Sequence, residues 1–153
     1  MAKFKFKLET VLKVKIRVEE LRRKELQLAE IQRDQAHKQL LQRQAEVAQT
    51  LDNYREDLMR RIDVHQAVNY DRFLRWLNKQ AELAAAHLEQ CERQVDEARN
   101  KLVEAVKEKQ ILEKLKEKAY ETYKLEEQRL ENQFLDELGT GSFIRQGNGQ
   151  GGA

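Results

Sequence analysis

The residues of this chain most suited to chemistry are three histidines and a single cysteine. His87 and Cys91 stand four residues apart, which places them on one helical face at a spacing that can hold two metal ligands. Neither His37 nor His65 has a second histidine or a cysteine three or four residues away. Cys91 also belongs to a series of residues seven positions apart that is mostly alanine, and a small core residue is expected there. We therefore expect no metal site and no cofactor.

Phosphate chemistry has no sequence basis in most of the chain. A phosphate-binding loop needs glycines where backbone amides approach the anion, yet all six glycines lie in the last fifteen residues. The stretch Gly139-Thr-Gly-Ser has no strand before it. Carboxylates are plentiful, but a thin helical protein offers no enclosed pocket in which their pKa values would shift. We predict that the chain is not an enzyme and has no small-molecule substrate.

The composition indicates elongated helices instead of a compact globule. Charged residues make up 37% and aromatic residues 7% of the chain, and proline is absent. This leaves enough apolar material to line one seam but not to fill a wide core. The longest uncharged stretch before residue 139 is Val64 to Tyr70, far shorter than the ~20 apolar residues of a membrane span. The single cysteine excludes an internal disulfide, and a reducing compartment is expected.

The second half of the chain carries a sustained heptad pattern. Two interleaved rows alternate spacings of four and three residues, which is the signature of a coiled coil. The lysines at 109 and 116 depart from the pattern, and we expect them to loosen the seam between Val106 and Lys118. The first row is Leu77, Ala84, Cys91, Ala98, Ala105, Leu112 and Ala119, and the second is Ala81, Leu88, Val95, Leu102, Lys109, Lys116, Tyr123 and Leu130.

The first half of the chain repeats the heptad pattern less regularly. A stretch of low charge at residues 63–71 separates the two halves. We predict an all-α fold: a long antiparallel two-helix coiled coil, or α-helical hairpin, over residues 1–138. Helix 1 spans about 7–64, the turn about 65–70, and helix 2 about 71–138, with Asn69 or Asp71 as its N-cap. Residues 139–153 are predicted to be a disordered Gly-rich tail after Gly139 ends the helix. The apolar positions assigned to the helix 1 seam are Leu8, Val11, Leu12, Val18, Leu21, Leu28, Ile31, Leu41, Ala45, Ala48, Leu51, Tyr54, Leu58 and Ile62.

The N-terminal segment is basic, with nine Lys or Arg against three Glu in residues 1–24. Phe4 and Phe6 alternate with lysines, a pattern that can bind RNA, but the total charge of only +2 argues against nucleic acid. An alternative is that Phe4, Phe6 and Leu8 pack against the far end of helix 2 near Phe134 and Leu138. An RNA-binding coiled-coil arm and a purely structural rod remain alternative functions.

Two segments carry a family resemblance: Phe4-Lys-Phe-Lys-Leu-Glu-Thr-Val-Leu12-Lys-Val-Lys and Leu112-Glu-Lys-Leu-Lys-Glu-Lys-Ala-Tyr-Glu-Thr-Tyr123. With the central turn and the chain length, they make residues 3–138 resemble the flagellar export protein family FliJ. The resemblance implies a component of the flagellar type III export apparatus, similar to the stalk of rotary ATPases. It would be cytoplasmic, associated peripherally with the inner membrane at the flagellar base.

The same resemblance implies the partners. The paired termini would enter the ring of the export ATPase and promote its assembly, the middle of the hairpin would bind the export gate protein FlhA, and escort chaperones would also bind. Where a family member has a tyrosine this chain has Thr50, and Gln80 and Ala84 replace a small apolar residue and a histidine. The residues implied for the ring are Phe4, Phe6, Leu8, Lys13 and Arg17; those for the gate are Arg43, Val47, Tyr54, Phe73, Leu77 and Ala84.

Overall fold

The computed structural model describes residues 3–149 and contains two long helices within them. Helix α1 spans Glu9–Met59 and helix α2 spans Val64–Gly149. The helices pack against each other in an antiparallel hairpin, which confirms the predicted all-α fold. The chain divides into two compact units: unit 1 comprises residues 1–16 and 107–153, and unit 2 comprises Arg17–Val106. Each unit contains a stretch of both helices.

The turn of unit 2 lies at residues 60–63, earlier than the predicted 65–70. Arg61 ends α1 by adopting a left-handed conformation, with φ of 63°. Asp63 then caps α2, because its carboxylate accepts a hydrogen bond from the Gln66 backbone N–H at 2.8 Å. Asn69 and Asp71, the predicted N-caps, are therefore inside α2. The turn between the helices therefore depends on a non-glycine residue in the left-handed region, which the residue type alone does not indicate.

The seam of α2 follows the predicted heptads. Every position of the two rows from Leu77 to Tyr123 is buried or half-buried, whereas Leu130 is exposed. Within unit 2, Leu77, Cys91 and Val95 are among the most buried side chains. The heptad pattern predicted the buried positions because a long uninterrupted helix repeats one packing geometry along its length.

The seam of α1 differs from the prediction. Several large apolar residues assigned to it are exposed, namely Leu21, Leu28, Ile31, Leu41 and Leu58. The buried and half-buried row instead runs at spacings of three and four through Leu12, Lys15, Glu19, Arg22, Leu26, Ala29, Arg33, Ala36, Leu40, Arg43, Val47, Thr50, Tyr54 and Asp57. Alanines on α2 leave room for long side chains, whose aliphatic stems pack while their charged ends reach water. Glu19 is buried, and its carboxylate accepts a charged hydrogen bond from the Arg23 guanidinium at 2.7 Å.

In unit 1 the two lysines of the heptad pattern do not open the seam. Lys116 pairs with Glu9 of α1 at 2.9 Å, and Lys15 of α1 pairs with Glu108 at 2.8 Å. Leu112, which lies between the two heptad lysines, is buried. The prediction of a loosened seam is wrong here because ion pairs between the helices occupy its edges.

Helix α2 continues past the predicted end at residue 138 to Gly149. Gly139 does not terminate it, and no described glycine has a positive φ. The Thr140 hydroxyl donates to the Asp136 carbonyl at 2.8 Å, so the helical pattern persists across Gly139. A glycine in a helix costs about 1 kcal/mol relative to alanine, which does not by itself stop a long helix. Of the predicted tail, residues 150–153 lie outside the described residues, as do residues 1–2 of the predicted hairpin.

No helix in the described part of the chain combines the length and apolar character needed to cross a membrane.

Candidate protein-interaction surfaces

Unit 2 exposes two stacked aromatic rings shortly after the turn. The rings of Phe73 and Trp76 lie 6.1 Å apart, 15° from parallel, and are 49% and 53% exposed. They border a shallow hollow with Thr50 and Glu46 of α1 and with Leu77. Exposed aromatic side chains beside a hollow are frequent anchors for protein partners. We call this the aromatic surface: Phe73, Trp76, Glu46 and Thr50.

A second hollow follows along the same two helices and contains amide side chains. Arg43 and Ala84, both predicted to bind the gate, line it together. Arg43 is half-buried and pairs with Glu46 at 3.2 Å, and Glu46 also lines the aromatic surface. The two hollows are therefore adjacent. The other residues of the second hollow are Gln39, Gln42, Gln80, Leu83 and His87.

The six predicted gate-binding residues thus have different environments. Phe73 is exposed, while Val47, Tyr54 and Arg43 are half-buried, as is Ala84. Leu77 is only 2% exposed, so it supports the hollow from below and offers little surface to a partner. Trp76, Glu46 and Gln80 lie in or beside these hollows and were not among the six. Trp76 is a large aromatic residue three positions after the predicted Phe73, whereas Glu46 carried no signal in the sequence.

Tyr54 is engaged within the hairpin close to the turn. Its ring packs on that of Tyr70 with centroids 4.9 Å apart, and the Tyr70 hydroxyl donates a hydrogen bond to the Asp57 carboxylate. That hydrogen bond, followed by desolvation and the charge of Asp57, raises the pKa of Tyr70 above its usual 10.0. Tyr54, Tyr70 and Asp57 therefore join α1 to the first turns of α2.

Tyr70→Phe is expected to lower the urea midpoint of unfolding at neutral pH, because Asp57 loses its donor. The pKa of Tyr70 is raised in the folded state, so the stabilisation is complete below the unfolded pKa, near 10, and disappears as pH rises through the higher folded value. The difference between wild type and variant should therefore shrink in alkaline solution. Urea titrations followed by circular dichroism at several pH values measure it. A difference independent of pH would contradict the role of this hydrogen bond.

Unit 1 contains an aromatic cluster formed by the N-terminal segment and α2. Phe4 contacts Tyr120 edge-on at 5.2 Å and Tyr123 at 5.5 Å between ring centroids. The Lys124 ammonium lies 4.9 Å from the centre of the Tyr120 ring. Burial raises the pKa of Tyr123, and Glu127, which accepts its hydroxyl at 3.4 Å, adds to the effect. Phe4 therefore joins the N-terminal segment to α2 within unit 1.

The N-terminal segment does not reach Phe134 and Leu138, which are exposed. Phe4 and Phe6 are half-buried, and together with Glu9 and Lys116 they border a hollow. Leu8 and Lys13 are exposed. Arg17, the fifth residue predicted for the ring, is exposed in unit 2. The Glu9–Lys116 ion pair fixes where the N-terminal segment lies along α2. The few residues before Glu9 therefore reach Tyr123 and stop short of Phe134.

Beyond Lys124, the surface of α2 in unit 1 is largely uncovered. Nearly every described residue from Leu125 to Gly149 is exposed, including several large apolar side chains. Leu130 and Phe134 are spaced four apart and line one hollow with Tyr123. A helix that exposes apolar side chains over many turns is expected to bind a partner. We call this stretch the α2 extension; its exposed large apolar residues are Leu125, Leu130, Phe134, Leu135, Leu138, Phe143 and Ile144.

His87 and Cys91 lie close in unit 2, with the Cys91 sulfur 3.8 Å from His87 Nε2. Cys91 is buried in the seam, as its heptad position indicated. Among residues 3–149, no group of three or more His, Cys, Asp or Glu side chains is arranged to hold a metal ion.

Comparison with known proteins relates nearly the whole chain to one family. The family model described as flagellar FliJ protein matches residues 4–148. No curated protein and no solved structure gave a significant match.

Proposed function

Because the chain belongs to the flagellar FliJ protein family and is therefore a flagellar export-associated protein, we propose that it is a non-catalytic adaptor that joins the export ATPase to the export gate. Unit 1 binds within the ATPase ring and promotes its assembly. Unit 2 binds the cytoplasmic part of FlhA. Escort chaperones are further partners, and the complex is held at the cytoplasmic face of the inner membrane through these contacts.

The observation that carries the proposal is the exposed α2 extension. It presents leucine and phenylalanine side chains along a helix that α1 does not cover. A single helix is narrow, about 10 Å across, and so fits the central opening of a ring. Lys13, together with Lys5 and Lys7, supplies positive charge in the same unit, which suits an acidic lining.

The aromatic surface supports the second half of the proposal. Phe73 and Trp76 are half-exposed and lie beside buried Leu77. Glu46, Gln49 and Thr50 border the same hollow and supply polar groups beside the rings. An aromatic centre with a polar rim is the usual arrangement of a protein interface.

ATP hydrolysis by the cognate export ATPase, measured across a range of concentrations of this chain, tests the first half. We expect stimulation, together with ring assembly seen by light scattering. Leu130→Asp with Phe134→Asp should raise the concentration needed for half-maximal stimulation at least tenfold, because two apolar anchors would carry charge into a buried contact.

Gln133→Asp is the matched control, since it adds charge to an exposed polar position one residue from Phe134. It should stimulate like the wild type. Equal loss in control and test variants would attribute the effect to charge alone. Full stimulation by the double variant would remove the α2 extension from the proposal.

A further inference from the structure

One side of the α2 extension carries an apolar stripe that continues the seam of unit 1. Its members, Leu130, Phe134 and Leu138, are spaced four residues apart, so each lies about 40° around the helix from the one before. Tyr123, seven residues before Leu130 in the same heptad row, is half-buried and contacts Phe4. The three residues of the stripe are more than half exposed. The apolar stripe therefore extends a helix-packing surface past the point where the N-terminal segment covers it.

Carboxylates border the apolar stripe on both sides. At about 100° per residue, Glu131 and Glu137 lie about 60° to either side of Phe134. Both are exposed, and neither has an ion-pair partner among the described residues. Glu126 lies on the same side as Glu137 and is paired with Arg129 at 3.6 Å. We call Glu126, Glu131 and Glu137 the carboxylate rim.

The α2 extension differs in charge from the N-terminal segment of the same unit. Residues 125–149 contain five carboxylates and two arginines, whereas residues 3–8 contain three lysines and no acidic residue. The lysine nearest to the stripe, Lys124, has its ammonium group 4.9 Å from the centre of the Tyr120 ring. The side of α2 that carries the stripe is therefore acidic as well as apolar.

The shape of the apolar stripe indicates a helical partner. The backbone hydrogen bonds of α2 are made within the helix, so an extended peptide has no free strand edge to pair with. Side chains at intervals of four residues form a ridge, and ridges of this kind pack into the grooves of a second helix. From Glu126 to Leu138 the surface is about 18 Å long at 1.5 Å per residue, which corresponds to about three turns of a partner helix.

The carboxylate rim indicates the charge of that partner. Helices that lie on an anionic lipid surface carry Lys and Arg beside their apolar face, and nucleic acid would bring phosphates to the carboxylates. Two copies of the stripe packed on each other would place carboxylates together. A helix with Lys or Arg beside its own apolar residues complements both the stripe and the rim.

We propose that the apolar stripe and its carboxylate rim bind a basic amphipathic helix contributed by the export ATPase ring. This inference rests on the proposed function, in which the α2 extension enters the ring, and it adds that the lining met by the stripe is positively charged. The acidic lining that suits Lys5, Lys7 and Lys13 would then be a separate band of the ring.

Designed peptides test the chemistry of the stripe without the ATPase. The probes are two synthetic amphipathic helices with the same leucine face, one flanked by lysines and the other by glutamates. Fluorescence anisotropy should show that the full chain binds the lysine peptide at least about tenfold more tightly than the glutamate peptide. Equal affinity for the two peptides would overturn the inference.

Glu131→Lys with Glu137→Lys should weaken binding of the lysine peptide at least about tenfold, because like charges would meet. Glu121→Lys with Asp136→Lys is the matched control. It makes the same change in net charge at exposed positions that lie about 140° or more around the helix from Phe134, and it should retain the affinity. Equal losses in both variants would mean that only the total charge of the chain matters, which contradicts a specific site.

Stimulation of the cognate export ATPase by the same variants tests whether the ring supplies the helix. The Glu131→Lys and Glu137→Lys variant should raise the concentration for half-maximal stimulation at least about tenfold, whereas the control should match the wild type. Stimulation that is insensitive to the charge reversal overturns the inference and leaves the proposed function intact. No stimulation by the wild-type chain contradicts the proposed function itself. A dimer in light scattering that Leu130→Asp with Phe134→Asp dissociates would overturn the inference in favour of a second copy on the stripe.

Discussion

Val95→Asp is expected to destabilise unit 2 by about 3–5 kcal/mol, the usual cost of leaving a charge buried without a partner. Val95 is 2% exposed and lies in the α2 seam. Such a loss is a large part of the 5–15 kcal/mol that holds a typical domain together. Urea unfolding followed by circular dichroism measures the effect.

Val103→Asp is the matched control for this prediction. Val103 lies on the same helix and in the same unit but is 50% exposed. Both variants lose the same helix propensity and gain the same charge, so they differ in burial. We expect Val103→Asp to change stability by no more than about 0.5 kcal/mol. Equal losses at the two positions would mean that Val95 does not lie in a packed seam.

Replacing both Phe73 and Trp76 by alanine is expected to weaken binding to the cytoplasmic domain of FlhA by at least about 30-fold. Truncating a central aromatic anchor commonly costs 2 kcal/mol or more, and each 1.4 kcal/mol is a tenfold change in Kd. Both side chains are about half exposed in the free chain, so the fold should survive. Titration calorimetry gives the Kd, and circular dichroism checks helicity.

Val103→Ala is a suitable control, because Val103 is exposed on the same helix and in the same unit but lines neither the aromatic surface nor the neighbouring hollow. It should retain most of the affinity. A Kd unchanged by the double alanine variant would rule out the aromatic surface as the gate contact. The ATPase assay would be unaffected by that outcome, so the two halves of the proposed function can fail separately.

Much of α2 was predictable from the sequence. Its heptads repeat without proline or glycine from Leu77 to Tyr123, and every position of both rows is buried or half-buried. A long helix with one partner satisfies the same geometric condition at each turn, so periodicity alone identifies the seam. The two-helix hairpin followed from the low-charge break at residues 63–71, and the family resemblance followed from two short segments together with the central turn and the chain length.

The seam of α1 was decided by tertiary packing. Large apolar residues such as Leu28 drew the prediction to the outward side, while Arg33 and Glu19 occupy the side that faces α2. Long charged side chains pack there because α2 offers alanines opposite the seam. The sequence of α1 does not show how much space α2 leaves opposite each residue. The sequence of α1 alone therefore could not decide which of its two rows faces α2.

The candidate surfaces were likewise predicted only in part from the sequence. The sequence indicated a basic N-terminal segment, and the family resemblance implied Tyr54 and Phe73 as gate-binding residues. Only the structure shows that Tyr54 is packed on Tyr70 while Phe73 and Trp76 are exposed. It also placed the turn, because a left-handed Arg61 and the Asp63 cap outweigh local propensity. Periodicity along one helix is a local property that sequence determines, whereas exposure and turn geometry depend on what the opposite helix leaves uncovered.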